Sequence, residues 1–218
     1  MVSGQLSKKI KMNITLSEKD ILKDKTEYTG VHPQKFMLWV AMAAMSMFFA
    51  ALTSALLVKK GDYRVWENFR LPTVFLFSTM TIITLSVCIH ASLLSYRKAK
   101  FSRFRWLMFT SFLLGCLFLG LQLTGWHVLQ QGGMTLTENL SGSFIYLITS
   151  AHGVHIIAGL AVMLVFLISA VRARNDEIYE LRNIINPKRQ LNLELLVSYW
   201  HYVDAVWVYL YVFFYLNY

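Results

Sequence analysis

The side chains in this sequence with a capacity for acid–base or metal chemistry are few: six histidines, and one aspartate set deep in an apolar stretch. His152 and His155, in Ser150-Ala151-His152-Gly153-Val154-His155, are three apart and share one face of a helix. His201 and Asp204, in Tyr199-Trp200-His201-Tyr202-Val203-Asp204-Ala205-Val206-Trp207, are related by the same spacing. His90 lies in a separate apolar run, and His127 near the end of a third.

Such a histidine pair could hold a metal or a heme, or it could clasp a neighbouring helix through hydrogen bonds. Two histidines on one face cannot be opposite axial ligands of one heme, and no third Cys, Glu or His shares that face. A polar clasp is therefore the favoured reading, with Gly153 and Gly159 admitting a close neighbour. In the second cluster the carboxylate could orient the imidazole and share its charge. An aspartate inside a span needs a partner, and His201 or one of the pair His152 and His155 is the natural candidate. Tyr199 and Tyr202 read as interfacial aromatics, a reading also open to Trp200 and Trp207. Cys88 and Cys116 have no second sulfur or histidine at ligand spacing and read as packing residues. No catalytic residue, metal site or cofactor site is expected within the chain.

These residues need elements to hold them, and composition says which. Of 218 residues 56% are hydrophobic and 15% charged, too apolar for a core hidden from water beneath a polar surface. Lipid is the expected solvent. Five apolar runs, 36–58, 71–95, 104–129, 142–171 and 195–216, are each long enough to cross a bilayer core of about 30 Å as a helix. The expected architecture is an all-α integral membrane bundle of five transmembrane helices over 36–218, preceded by a polar basic tail over 1–35. Ser17 to Asp20 can cap one short helical turn in that tail. The tail is not expected to be a cleavable signal, since the first apolar run is too long and lacks a small-residue cleavage site.

Pro72 suits the first turn of the second run, and Gln130 to Gly133 a turn after the third. The net charge of +9 is not a nucleic-acid footprint, because the cations sit beside the ends of apolar runs. Seventeen Lys and Arg residues fall in the tail and the 96–105 and 172–194 loops, against four (Lys59, Lys60, Arg64, Arg70) on the opposite side. That asymmetry predicts the N-terminus in and the C-terminus out.

Three stretches carry a resemblance: Gly142-Ser143-Phe144, Thr149 to Gly159 with its His-Gly-Val-His centre, and Glu194 followed by the run from Tyr199 to Trp207. Together they resemble the signature of subunit III of the heme-copper respiratory oxidases. Gly115, Phe118, Gly120 and Gln122 in the third run, and His90-Ala91 in the second, are similar to that family too. The similarity covers residues 36–218. The residues that match its signature are His90, Gln122, His152, Gly153, His155, Gly159, Glu194, Trp200, His201, Asp204 and Trp207.

The resemblance implies the short bacterial form, five helices in a two-helix and a three-helix group around a lipid cleft, seated in the bacterial inner (cell) membrane. It implies no redox centre here. Hemes and copper would belong to partner chains, the catalytic subunit I and the copper-bearing subunit II, while this chain would hold structural phospholipids, protect subunit I and support proton uptake. The complex so implied takes electrons from cytochrome c or quinol, reduces oxygen to water and pumps protons. One departure limits the transfer: relatives often carry a glutamate after a serine in the first of these helices, where Ala44 and Met45 stand here. Gly125-Trp126 likewise replaces a frequent acidic-aromatic pair. Two alternatives share some of these features: the related accessory protein of a nitric oxide reductase, and a small b-type cytochrome using His90 and His201.

Overall fold

A computed structural model describes residues 32–62, 71–134, 140–172 and 187–218. It contains five helices, α1 (Pro33–Asp62), α2 (Val74–Arg97), α3 (Phe101–Gln131), α4 (Leu140–Arg172) and α5 (Pro187–Asn217), and no strand among the described residues. At about 1.5 Å per residue, helices of 24 to 33 residues run roughly 36–50 Å, beyond the hydrocarbon thickness. The expected turn at Ser17 to Asp20 lies outside the described residues.

By length and composition, α1 to α4 are apolar enough to cross a membrane. The last helix is not among these four, although a fifth span was expected there. Its tyrosines, His201, Asp204 and a polar first turn lower its hydropathy, and the most polar of them are turned inward. The α5 helix also begins well before the expected residue 195, because Pro187 opens it at a position where a missing N–H costs nothing and the polar segment from Lys188 to Asn192 continues the backbone ladder. Pro72 stands just outside α2, where its carbonyl accepts the Phe75 N–H at 3.0 Å.

In lipid every backbone and hydroxyl group must be satisfied within the protein. Ser46, Thr79, Thr81, Thr84, Ser95, Thr110, Ser111, Thr149 and Ser198 each donate to the carbonyl four residues back, at 2.6–3.0 Å. Two helix ends close by the same device. The Lys100 N–H bonds the Ser95 carbonyl and the Ala99 N–H that of Tyr96, with Ala99 left-handed at φ 53°. Met134 and Gly133 repeat this on Leu129 and Gln130, with Gly133 at φ 86°. Gly suits such a position and Ala does not.

The chain divides into a unit ending at Ala41 and one from Met42 onward, and the packing that follows is that of the second. Along its helices α2 packs on α3, α3 on α4, α4 on α5 and α5 back on α2, closing a ring of four. The tight connection at Lys98 to Lys100 brings α2 and α3 together.

The first helix stands outside this ring and joins it through side chains. The Ser46 hydroxyl lies 2.7 Å from that of Tyr202, the Thr53 hydroxyl 3.0 Å from that of Tyr209, and Lys60 donates to the Asn217 carbonyl. Ser46, Thr53 and Lys60 are spaced by seven, two turns of helix, so they form one stripe, and their partners ascend α5 in the same order. Helices α1 and α5 are thus parallel. Trp200 and Trp207 are fully buried, at 0% and 1% exposure, so they are core residues rather than interfacial aromatics. Cys88 is half-buried and Cys116 is exposed on α3.

Replacing Ala99 with Gly removes a left-handed strain and stabilises the chain by about 1 kcal/mol. A rise in thermal unfolding temperature in detergent for Ala99→Gly, and none for a control at exposed Lys98, checks it.

Candidate functional site

The polar residues expected to act together fall into three groups, two within the helix ring and one at its basic end. In the first, the Ser86 hydroxyl lies 2.6 Å from His201 Nδ1, and His201 Nε2 lies 3.2 Å from His90 Nδ1. A neutral imidazole carries one N–H, so the two bonds are coupled. If Ser86 donates to His201, then His201 donates to His90; reversing one reverses the other. Such a chain can hand a proton between exposed His90 and the half-buried serine. Ser86 escaped the sequence reading because a serine in an apolar run is inconspicuous, yet its spacing of four from His90 placed both on one face.

Asp204 does not orient His201. Three residues turn a helix by 300°, so the side chains diverge by about 60°: His201 meets α2, and Asp204 points into the ring at 5% exposure. Ser86 lies toward the carboxyl as well, but neither carboxyl oxygen has a well-formed hydrogen bond among the described residues. Burying a carboxyl without partners is costly, which makes Asp204 the strongest functional candidate in the chain.

The second group surrounds His152, at 1% exposure, with both ring nitrogens unbonded among the described residues. Its ring packs on Trp207 at 5.2 Å, Phe118 at 5.9 Å and Phe49 at 6.1 Å between centroids. One imidazole thus touches α5, α3 and α1 from its seat on α4. The expected polar clasp is an aromatic one. His155 Nδ1 donates to the Ala151 carbonyl of its own helix at 2.7 Å, and its backbone carbonyl accepts the Tyr199 hydroxyl at 2.8 Å.

Two indoles find acceptors on facing helices, Trp207 Nε1 bonding Thr79 at 3.1 Å and Trp126 Nε1 bonding Thr149 at 3.0 Å, while the buried Trp200 Nε1 has none among the described residues. Gln122 reaches Ser78 at 3.1 Å. Trp126 thus fills a structural place where an acidic-aromatic pair was absent from the sequence.

The third group closes the basic end of α2 and α5. Arg97 pairs with Glu194 at 2.9 Å, and Gln190 donates to the same carboxylate oxygen at 3.1 Å. Arg97 is half exposed, so the pair is worth little as stability and more as alignment.

Of the two glycines expected to admit a neighbour, only Gly159 does so. A Cβ there would meet Tyr199 Cε1 at 2.9 Å and Trp200 Cζ2 at 3.1 Å, whereas one at Gly153 would meet nothing within 4 Å. The unassigned Gly115 is tighter still, with Leu160 Cδ2 at 2.7 Å. Met45, in the place of the missing carboxylate, is half-buried against the apolar core. A bis-histidine heme between His90 and His201 is incompatible with their arrangement, since nitrogens 3.2 Å apart leave no room for an iron between them.

A matched pair of variants separates the glycines: Gly159→Ala destabilises the chain by about 1–3 kcal/mol through overpacking against rigid rings, while Gly153→Ala is neutral or slightly stabilising. Thermal unfolding of the purified proteins reads the difference.

Comparison with known proteins places this geometry among relatives. The family model for cytochrome c oxidase subunit III matches residues 30–217. Cytochrome c oxidase subunit 3 of Bacillus subtilis is 28% identical over 210 residues, 91% of this chain and 90% of that protein. The protein of the same name from Bacillus sp. strain PS3 is 28% identical over 84% of this chain and 85% of its own length. The cytochrome bo(3) ubiquinol oxidase subunit 3 of Pseudomonas aeruginosa is 27% identical, covering 79% of each.

Proposed function

The chain belongs to the cytochrome c oxidase subunit III family, and on that premise we propose that it is the accessory, non-redox third subunit of a proton-pumping heme-copper terminal oxidase in a bacterial cell membrane. The observation that carries the reading is the family match across residues 30–217, which takes in both histidine clusters. It is supported by interior polar groups that link helices and, in Asp204, by a buried carboxyl with no well-formed hydrogen bond among the described residues. In this reading the catalytic subunit and a copper-bearing second subunit hold the hemes and copper, and this chain packs beside the former and carries structural phospholipids.

The broad outer surface is chemically suited to that place: Phe77, Val87, Val154, Val165 and Leu216 are among the large apolar side chains exposed along α2, α4 and α5. A lipid-facing or subunit-facing position covers them. The similar proteins include oxidases of both cytochrome c and ubiquinol, so either electron donor suits the reading. With Met45 where relatives often have a carboxylate, proton uptake through that position is no part of it. The Ser86, His201 and His90 chain is the polar path this sequence does contain.

A tagged chain solubilised in mild detergent should co-purify with a heme-bearing catalytic subunit; recovery alone, with no heme spectrum in the eluate, overturns the proposal. Within the recovered complex, Asp204→Leu or His201→Leu should lower retention of this subunit several-fold and shorten the span of turnover before inactivation. Unchanged retention and turnover would show that the pair has no part in assembly.

A further inference from the structure

The seam between α2 and α5 is antiparallel and in step. Arg97 meets Glu194 at 2.9 Å, and seven residues inward on each helix His90 meets His201, with His90 Nδ1 and His201 Nε2 3.2 Å apart. Seven residues are about 10 Å of helix, so the histidine pair lies two turns from the ion pair at the basic end. His90 is exposed and His201 half-buried.

We propose that His90 and His201 form a cross-helix chelate for one divalent transition cation of the zinc type. The two axial ligands of a heme face each other across the metal, which this pair cannot do. Neighbouring ligands of a tetrahedral zinc stand differently. With Zn–N bonds of about 2.0–2.1 Å, two imidazole nitrogens on one zinc are about 3.3 Å apart, close to the separation the two rings already have. The cation takes the place of the hydrogen bond between the rings, drawing one lone pair from each, and is reached by turning the rings rather than by moving the helices.

The surroundings of His201 suit that use. A metal-bound histidine donates its other ring N–H to a second group, which fixes the ring and its tautomer. The Ser86 hydroxyl oxygen, 2.6 Å from His201 Nδ1, can accept that proton, and Ser86 lies toward the buried Asp204 carboxyl as well. Imidazole, hydroxyl and carboxyl thus follow one another behind the metal position. Among the described residues no third His, Cys, Asp or Glu joins the pair, so the remaining positions fall to water, reached from the membrane surface about 10 Å away. Two imidazoles favour zinc, copper or nickel over magnesium or calcium. A bound cation ties up both lone pairs and so stops any hand-over of a proton through His90, His201 and Ser86. Spacing along one helix could not reveal the site, because its ligands come from two.

The test uses the full chain purified in mild detergent by a tag free of histidine, with Zn²⁺ alone as the probe in equilibrium dialysis. The wild type should bind one Zn²⁺ more tightly than His90→Gln by at least about tenfold, and Ser86→Ala, which keeps both ligands, should weaken it by about tenfold. His127→Gln, at the far end of α3, should bind as the wild type does. A second readout needs no variant: Zn²⁺ should slow the modification of His90 by diethyl pyrocarbonate several-fold, with His127 unaffected and Mg²⁺ without effect. Equal zinc binding by the wild type and His90→Gln overturns the site. So does modification of His90 at one rate with and without Zn²⁺, or equal protection by Mg²⁺.

Discussion

Between helices in lipid, burial of apolar surface offers little net attraction, because the hydrocarbon tails are as apolar as leucine; shape and polar contacts must hold helices together. The ring of His152 meets that constraint by packing from α4 on aromatic rings of α1, α3 and α5. Each of its three aromatic contacts adds about 1 kcal/mol beyond simple burial, a sum similar to the cost of leaving buried nitrogens without hydrogen bonds. The histidine is thus no cheaper than a phenylalanine would be in the isolated chain. Its two nitrogens, unbonded among the described residues, parallel the oxygens of Asp204 one turn of α5 before Trp207.

The same constraint explains how the ring closes. Gly115 lets Leu160 come in from α4, Gly125 admits Phe75 from α2, and Gly159 admits the aromatic pair of α5. Small residues bring backbones near enough for indole and amide donors to reach threonines and serines across the gap. Those hydroxyls are already bonded to their own helices, so they accept without leaving a donor stranded.

Much of this was legible in the residues themselves. Apolar runs bounded by charge located all five helices, and the spacing of His152 with His155 and of His201 with Asp204 marked the helices that carry the interior. What could not be read was direction. A spacing of three places two side chains on one broad face, but 60° of divergence sends His201 to α2 and Asp204 inward, and no one-dimensional pattern says which. Trp200 and Trp207 misled for a similar reason: an indole near a helix end is as compatible with a headgroup belt as with a core. The partners Ser86, Thr79 and Thr149 were invisible because hydroxyls in apolar runs are common and become informative only when another helix arrives.

The stripe of Ser46, Thr53 and Lys60 has a bearing on how the chain is made. Synthesis delivers α1 well before α5, yet the partners of this stripe, Tyr202, Tyr209 and Asn217, all lie on α5. While the intervening hairpins assemble as sequence neighbours, α1 has none of these rungs to hold it. The earlier-made α1 therefore gains these rungs only once α5 has arrived. Its seven-residue ladder acts as a ratchet whose teeth engage only when α5 is threaded and in step.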